Sequence, residues 1–241
     1  MPSTARRDAR NRQTKVSADR RQQGLLLGVE GIEAHDLGRA LLRSAVTPPN
    51  VYLGVPAKHS FRPDFTMLLA LAEAAGGRPH VRGGRSASES LMLIAVQVHR
   101  YETAFQFLEA GRTVVEQRGV YATAIEDAVG RHPTDPEAAY AAATRFVSTV
   151  AAWRPLPGKV VMSVDDPEAI AARLRRTDVE WVGDPTTLAA KGALYERFAA
   201  DDPERFAVFD RRTVDDAAAM EAMLRWLEQT LPSPPHRRHD V

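Results

Sequence analysis

The residues with the most chemistry in reach run from Gly28 to Arg39: Gly28-Val29-Glu30-Gly31-Ile32-Glu33-Ala34-His35-Asp36-Leu37-Gly38-Arg39. They follow a short apolar run, Leu25 to Val29, and lead into a helical pattern from Leu37 to Val46. A turn between the first strand and the first helix of an α/β chain is where backbone amides can cradle a phosphate. The sequence form of that cradle is G-x-x-x-x-G-K-[ST]. Gly31 fits its first glycine. The second glycine then falls on Asp36, the lysine on Leu37 and the hydroxyl residue on Gly38. Leu37 cannot bridge phosphates, and Gly38 has no oxygen for a magnesium ion. Asp36, at the helix start, would take the amides for itself. Glu30, Glu33 and Asp36 also place negative charge around the same spot, a repulsion on the order of 1–4 kcal/mol per close pair.

The elements that must position this turn are readable. Leu25–Val29, Val51–Val55, Arg112–Glu116, Lys159–Val164 and Phe206–Phe209 are strand candidates. Helical patterns separate them: Leu37–Val46, Phe65–Ala75, Ser86–Ala110, Asp135–Ala152, a helix capped by Asp166-Pro167-Glu168, and Val214–Leu231. Ser86 and Glu89 have capping-box spacing, and Gly111 suits the C′ position of the same helix. Strands alternating with helices imply parallel strands joined by right-handed crossovers. The expected fold class is therefore α/β, three layers, with a five-stranded parallel sheet covered by helices on both faces. Ligands of such sheets bind at the C-terminal ends of the strands. No internal repeat or linker interrupts residues 24–231, which predicts one domain.

Composition narrows the function. The 241 residues are 44% hydrophobic and 26% charged, the balance of a soluble globular protein. There are no cysteines, which excludes disulfides, thiolate zinc sites and iron–sulfur clusters. No apolar run reaches membrane-spanning length, and no signal-type segment follows the basic N-terminus, so the cytoplasm is expected. Residues 1–23 carry seven basic side chains against two acidic ones and no aromatic, which reads as a disordered arm. Such an arm can touch nucleic acid or an acidic partner, or be simply solvated. Residues 232–241 read as a flexible tail.

Several stretches resemble the thymidylate kinase family. Glu30-Gly31-Ile32-Glu33 is similar to the start of its phosphate loop, E-G-[IL]-[DE]-G-[SA]-G-K-[ST]-T. Leu108-Glu109-Ala110-Gly111-Arg112-Thr113-Val114-Val115-Glu116-Gln117-Arg118 resembles L-E-A-G-K-T-V-I-x-D-R. Val164-Asp165-Asp166-Pro167-Glu168, with Arg173, Arg175 and Arg176 downstream, resembles the strand end that leads into an arginine-bearing lid. Tyr195-Glu196-Arg197-Phe198, Asp202-Pro203-Glu204-Arg205-Phe206 and Val208-Phe209-Asp210 resemble the closing helix and strand. The resemblance spans about residues 24–230 and implies a P-loop-kinase-like fold with strand order 2-3-1-4-5. It also implies a homodimer formed through the helices Phe65–Ala75 and Leu91–Leu108.

The chain departs from the family at four motifs. The phosphate loop fails at Asp36, Leu37 and Gly38. Leu53-Gly54-Val55-Pro56-Ala57-Lys58 does not reproduce the R-E-P-G-G-T substrate loop. The D-R-x-Q-H helix motif falls on Ala95-Val96-Gln97-Val98-His99, where only the histidine survives. The D-R-[YFW] turn falls on Gln117-Arg118-Gly119, where only the arginine survives. The chain therefore reads as a degenerate member that binds a nucleotide or a protein partner without catalysis. The alternative is an active nucleoside-monophosphate kinase with a divergent phosphate loop, for which the family implies ATP and Mg²⁺. Candidate nucleotide-binding residues are Glu30, Gly31, Glu33, Arg39, His99, Arg118, Arg173 and Arg176; no residue is assigned as catalytic or as a metal ligand. Arg39 can turn toward a phosphate or lie solvated on its helix. His99 can be a ligand or a structural histidine, and the Arg173–Arg176 cluster a lid remnant or an ordinary helix end.

Overall fold

The computed structural model of the chain describes residues 24–31, 51–53, 87–176 and 184–230. Its strands are β1 (Leu26–Gly31), β2 (Val51–Leu53), β3 (Val114–Gln117), β4 (Lys159–Val164) and β5 (Phe206–Asp210). Its helices are α1 (Ala87–Glu109), α2 (Val120–Arg131), α3 (Pro136–Ala151), α4 (Pro167–Arg176), α5 (Pro185–Asp201) and α6 (Asp216–Thr230). All strand pairs are parallel, in the order β2-β3-β1-β4-β5, with the three-residue β2 at one edge. This is the order the resemblance implies. The expected helices Leu37–Val46 and Phe65–Ala75, the N-terminal arm and the C-terminal tail lie outside the described residues.

Register sorts the side chains. Leu26 pairs with Val114, Gly28 with both Glu116 and Val160, and Glu30 with Met162. Alternation along each strand then puts Leu26, Glu30, Val114, Glu116, Val160 and Met162 on one face. That face packs on α1, α2, α3 and α5, through a cluster that includes Ile125, Phe146, Val147, Tyr195 and Phe198. Leu27, Val29, Val115 and Val161 point the other way, to Met223 of α6. Every residue of β1 is buried, as befits a central parallel strand covered on both sides.

Local signals set several boundaries. Asp135 and Asp166 accept from the amides of Ala138 and Ala169, at 2.9 and 2.8 Å, just ahead of Pro136 and Pro167. Asp184 does the same for α5. Gly111 ends α1 with φ +72°; its N–H reaches Leu108 O and that of Arg112 reaches Phe107 O, a Schellman closure. That closure corrects the expected strand Arg112–Glu116: Arg112 is still fastening the helix, so β3 starts at Val114. β1 runs past Val29 to Gly31, so Glu30 and Gly31 end a strand and do not belong to a turn. The sequence reading missed α2. No helix among the described residues is long and apolar enough to cross a membrane.

Candidate functional site

The site lies at the C-terminal ends of β1 and β3. Gly31 closes β1 at φ +106°, and a Cβ there would stand 2.3 Å from the carbonyl oxygen of Ser163 on β4. Only glycine fits both the dihedral and the space. On the neighbouring strand, Arg118 follows Gln117 with φ +48°, a left-handed conformation uncommon outside glycine. Its N–H still reaches Val29 O at 3.0 Å, and Arg100 of α1 clamps the turn from beneath. Arg100 donates to Gln117 O at 3.0 Å and to Arg118 O at 3.1 Å. Gly119 comes next and α2 begins.

Gly119 has no side chain to cap α2. Glu30, buried at the end of β1, does the work: its Oε2 accepts the N–H of Ala122 at 3.0 Å. That is the amide an N-cap side chain would satisfy. Glu116 lies on the same sheet face. It is buried and takes two bonds from Arg154 Nη2, at 3.0 and 3.3 Å, with Arg100 Nε at 3.9 Å. Both carboxylates crowd Gly119. A Cβ there would be 2.9 Å from Glu116 Oε2 and 3.0 Å from Glu30 Oε1. A side chain at Gly119 would have to displace the ends of both carboxylates.

Burial pushes the Glu30 carboxyl up to about 8, and the Glu116 charge adds to the rise. The amides of Ala122 and Tyr121 and the Arg100 charge only partly oppose it. Glu30 therefore holds its proton at neutral pH. Further out, Arg118 Nη2 pairs with Glu126 Oε1 of α2, and Lys191 Nζ of α5 stands 4.0 Å from the same oxygen. Behind them Tyr195 is buried, its hydroxyl held well above its usual range by burial and by the Glu30 and Glu126 carboxylates. On the α1 side, Gln97 donates to Thr123 Oγ1 at 2.8 Å, and Thr123 donates to Gly119 O at 2.9 Å.

Of the sequence-predicted residues, Glu30, Gly31 and Arg118 come together here. His99 does not: it faces solvent on α1, 3.9 Å from Glu102. The helix period puts Leu93, Gln97, Arg100, Ala104 and Leu108 on the buried side instead. Glu33 and Arg39, with Asp36, Leu37 and Gly38, lie outside the described residues. Arg173 and Arg176 end α4, and their side chains are likewise outside the description. Sequence reading missed Arg100, Arg154, Glu126, Lys191 and Tyr195. The signal available for Arg100 was its place at helical spacing from Leu93, Ala104 and Leu108; Tyr195 lies in the closing-helix stretch that carries the resemblance, and Arg154, Glu126 and Lys191 carry no signal short of the fold.

The residues that the resemblance aligns with a triphosphate and magnesium site lie outside the described residues; only the strand ends beside them are described. The aligned lysine and hydroxyl positions are Leu37 and Gly38. At the strand ends Glu30 already occupies an α2 amide, and Arg100 and Arg154 lie on Glu116. Among the described residues, no group of three or more His, Asp or Glu side chains could hold a metal ion.

No protein-family model and no curated relative matches the sequence. Solved structures do. Thymidylate kinase from Candida albicans is 12% identical, with a TM-score of 0.60 over 86% of this chain and 92% of that one. Thymidylate kinase from Ehrlichia chaffeensis is 15% identical, with a TM-score of 0.53 over 85% and 98%. Deoxyadenosine kinase from M. mycoides, solved with dCMP and dCDP bound, is 12% identical, with a TM-score of 0.56 over 85% and 100%. At these identities the likeness is one of fold: the chain has the architecture of the thymidylate and deoxynucleoside kinases.

Proposed function

We propose that this protein is a cytoplasmic, thymidylate-kinase-like chain that binds a nucleotide or a protein partner at its strand ends and transfers no phosphoryl group. The observation that carries this reading is the use of cations at the site. Phosphoryl transfer is nearly all positioning and charge neutralisation, so its arginines and lysines must face phosphate. Here Arg100 and Arg154 are buried on Glu116, and Arg118 and Lys191 meet at Glu126. The phosphate-loop positions Asp36, Leu37 and Gly38 agree with them.

The test is phosphoryl transfer from ATP to thymidine monophosphate with purified protein, and no turnover is expected. Turnover of about 1–100 s⁻¹ would overturn the reading in favour of a working nucleoside-monophosphate kinase, with Arg39 in the lysine's role. Binding is read separately by thermal melting with thymidine monophosphate or ATP–Mg²⁺. A ligand at 100 times its Kd raises stability by about 2.7 kcal/mol.

We further propose a homodimer through α1. Leu91, 66% exposed, lies on the outer side of that helix. Val98 and Phe105 follow at intervals of seven and are half-buried, an apolar stripe that a partner helix could cover together with Phe65–Ala75. Light scattering at micromolar concentration is expected to give the mass of a dimer; a monomer overturns the proposal.

A further inference from the structure

We propose that the groove between the outer strand β5 and helix α6 is a docking surface for a proline-rich segment, and that its occupant is this chain's own Pro232-Ser233-Pro234-Pro235. The groove is separate from the strand-end site, so the proposal stands apart from the function proposed above.

The groove has a volume of about 370 Å³, with Val208 and Phe209 of β5 on one side and Val214, Met223 and Trp226 on the other. Val208 and Val214 are each 45% exposed, two of the four large apolar side chains left so open among the described residues. The polar groups at its far end are engaged with one another. Arg212 donates to Asp210 through its backbone N–H, Nε and Nη2, and the Thr213 hydroxyl donates to Asp210 O. A small-molecule site needs a few convergent polar groups to orient its ligand. The groove instead presents apolar surface and shape.

Topology and chain path select the occupant. The step from β4 outward to β5 passes over the α5 face, and α6 lies on the opposite face with Val161 and Met223. A sixth strand placed beyond β5 after α6 would need a left-handed crossover, which parallel sheets avoid. The segment that follows α6 is also no strand: three of residues 232–235 are proline, which lacks the N–H a ladder needs. Such a run takes the polyproline II form, which has no internal hydrogen bonds and docks on aromatic-lined grooves. Trp226 is the aromatic here. Lys159, the first residue of β4, stands with its Nζ 5.3 Å from the ring centroid. Thr230, the end of α6, is one helical turn further on, so residue 231 leaves beside the groove's near end. From Thr230 back to Ala222 is about 12 Å of helix. Four residues of polyproline II cover about the same 12 Å. Pro232–Pro235 thus matches the stretch of groove that Trp226 and Met223 line.

The test uses the full chain with Trp153→Phe and Trp181→Phe, which leaves Trp226 as the sole indole, and a synthetic peptide of residues 231–241 as the probe. In that parent, the triple change Pro232→Gly, Pro234→Gly and Pro235→Gly is expected to shift Trp226 emission to the red and to raise its quenching by acrylamide at least twofold. Added peptide should reverse both effects in the glycine variant. It should bind the parent at least tenfold more weakly, because a tethered segment competes at millimolar effective concentration. Val208→Asp, at an exposed position, should reproduce the red shift and abolish the response to peptide. The proposal is overturned if the glycine variant leaves emission and quenching unchanged, or if peptide binds parent and glycine variant equally. It is also overturned if the parent's emission shifts on dilution, which would make a second copy's tail the occupant. Should Val208→Asp fail to fold, the glycine variant and the peptide decide alone.

Discussion

Glu30→Gln is expected to abolish a loss of stability that the wild-type protein shows as pH rises from about 5 to 8. The Glu30 carboxyl, ordinarily near 4.5, is pushed up to about 8 in the folded chain, by burial first and the Glu116 charge second. Between those values the folded protein keeps a proton that the unfolded chain has released. Stability therefore falls through that window, by up to about 1.4 kcal/mol per pH unit for one proton, and is level below and above it. Glutamine has nearly the same shape. Its amide oxygen still accepts from Ala122, and its amide nitrogen can donate toward Glu116. Denaturant unfolding at intervals from pH 5 to 9 should give a flat profile for the variant across the window, crossing above wild type on the alkaline side. Parallel profiles would show that the Glu30 proton leaves near its ordinary pH and that the Glu116 charge does not reach it.

Arg154→Met should cost about 3–5 kcal/mol, the usual effect of leaving one half of a buried ion pair behind. Arg154 is 2% exposed, and its Nη2 holds both oxygens of Glu116, itself fully buried. Arg100 is a poor substitute: it approaches Glu116 only to 3.9 Å, and its own fork is engaged with the carbonyls of Gln117 and Arg118. For a chain of this size the loss corresponds to a fall in Tm of about 6–20 °C. The double variant Glu116→Gln, Arg154→Met removes the stranded charge and should recover much of the loss. It should also lower the Glu30 titration, because the second cause of that shift is gone. A single-variant cost below about 1 kcal/mol would mean that Glu116 finds another cation, and the picture of a closed charge cluster would fail.

These two effects share one origin. Glu30 and Glu116 sit on adjacent strands, on one face, because Glu116 pairs with Gly28 two residues before Glu30. Two carboxyls so placed cannot both be charged cheaply. The protein answers with Arg154 and Arg100 on one and a proton on the other. The result is a rigid strand-end platform, from which Arg118 projects toward α2 and α5.

Much of the scaffold was legible in the sequence because its signals are short-range. Lys159–Val164 is a strand in both readings, residue for residue, since a β-branched apolar run between a glycine and Asp-Asp-Pro has few alternatives. Asp135-Pro136, Asp166-Pro167 and Gly111 mark helix ends through atoms three or four residues away. The altered phosphate-loop residues Asp36, Leu37 and Gly38 were likewise plain from residue type, and the strand order followed from the family resemblance. The tertiary structure decided the rest. α2 carries no local start signal because its cap is Glu30, 92 residues upstream of Ala122. Gln97 and Arg100, and not His99, face inward because α1 packs on the sheet along Leu93, Ala104 and Leu108. The partners of Glu116, Arg118 and Lys191 depend on register and on how α2 and α5 lie across the strand ends. Capping and periodicity act within one turn of chain; the pairing of buried charges is fixed only when distant segments are brought into register.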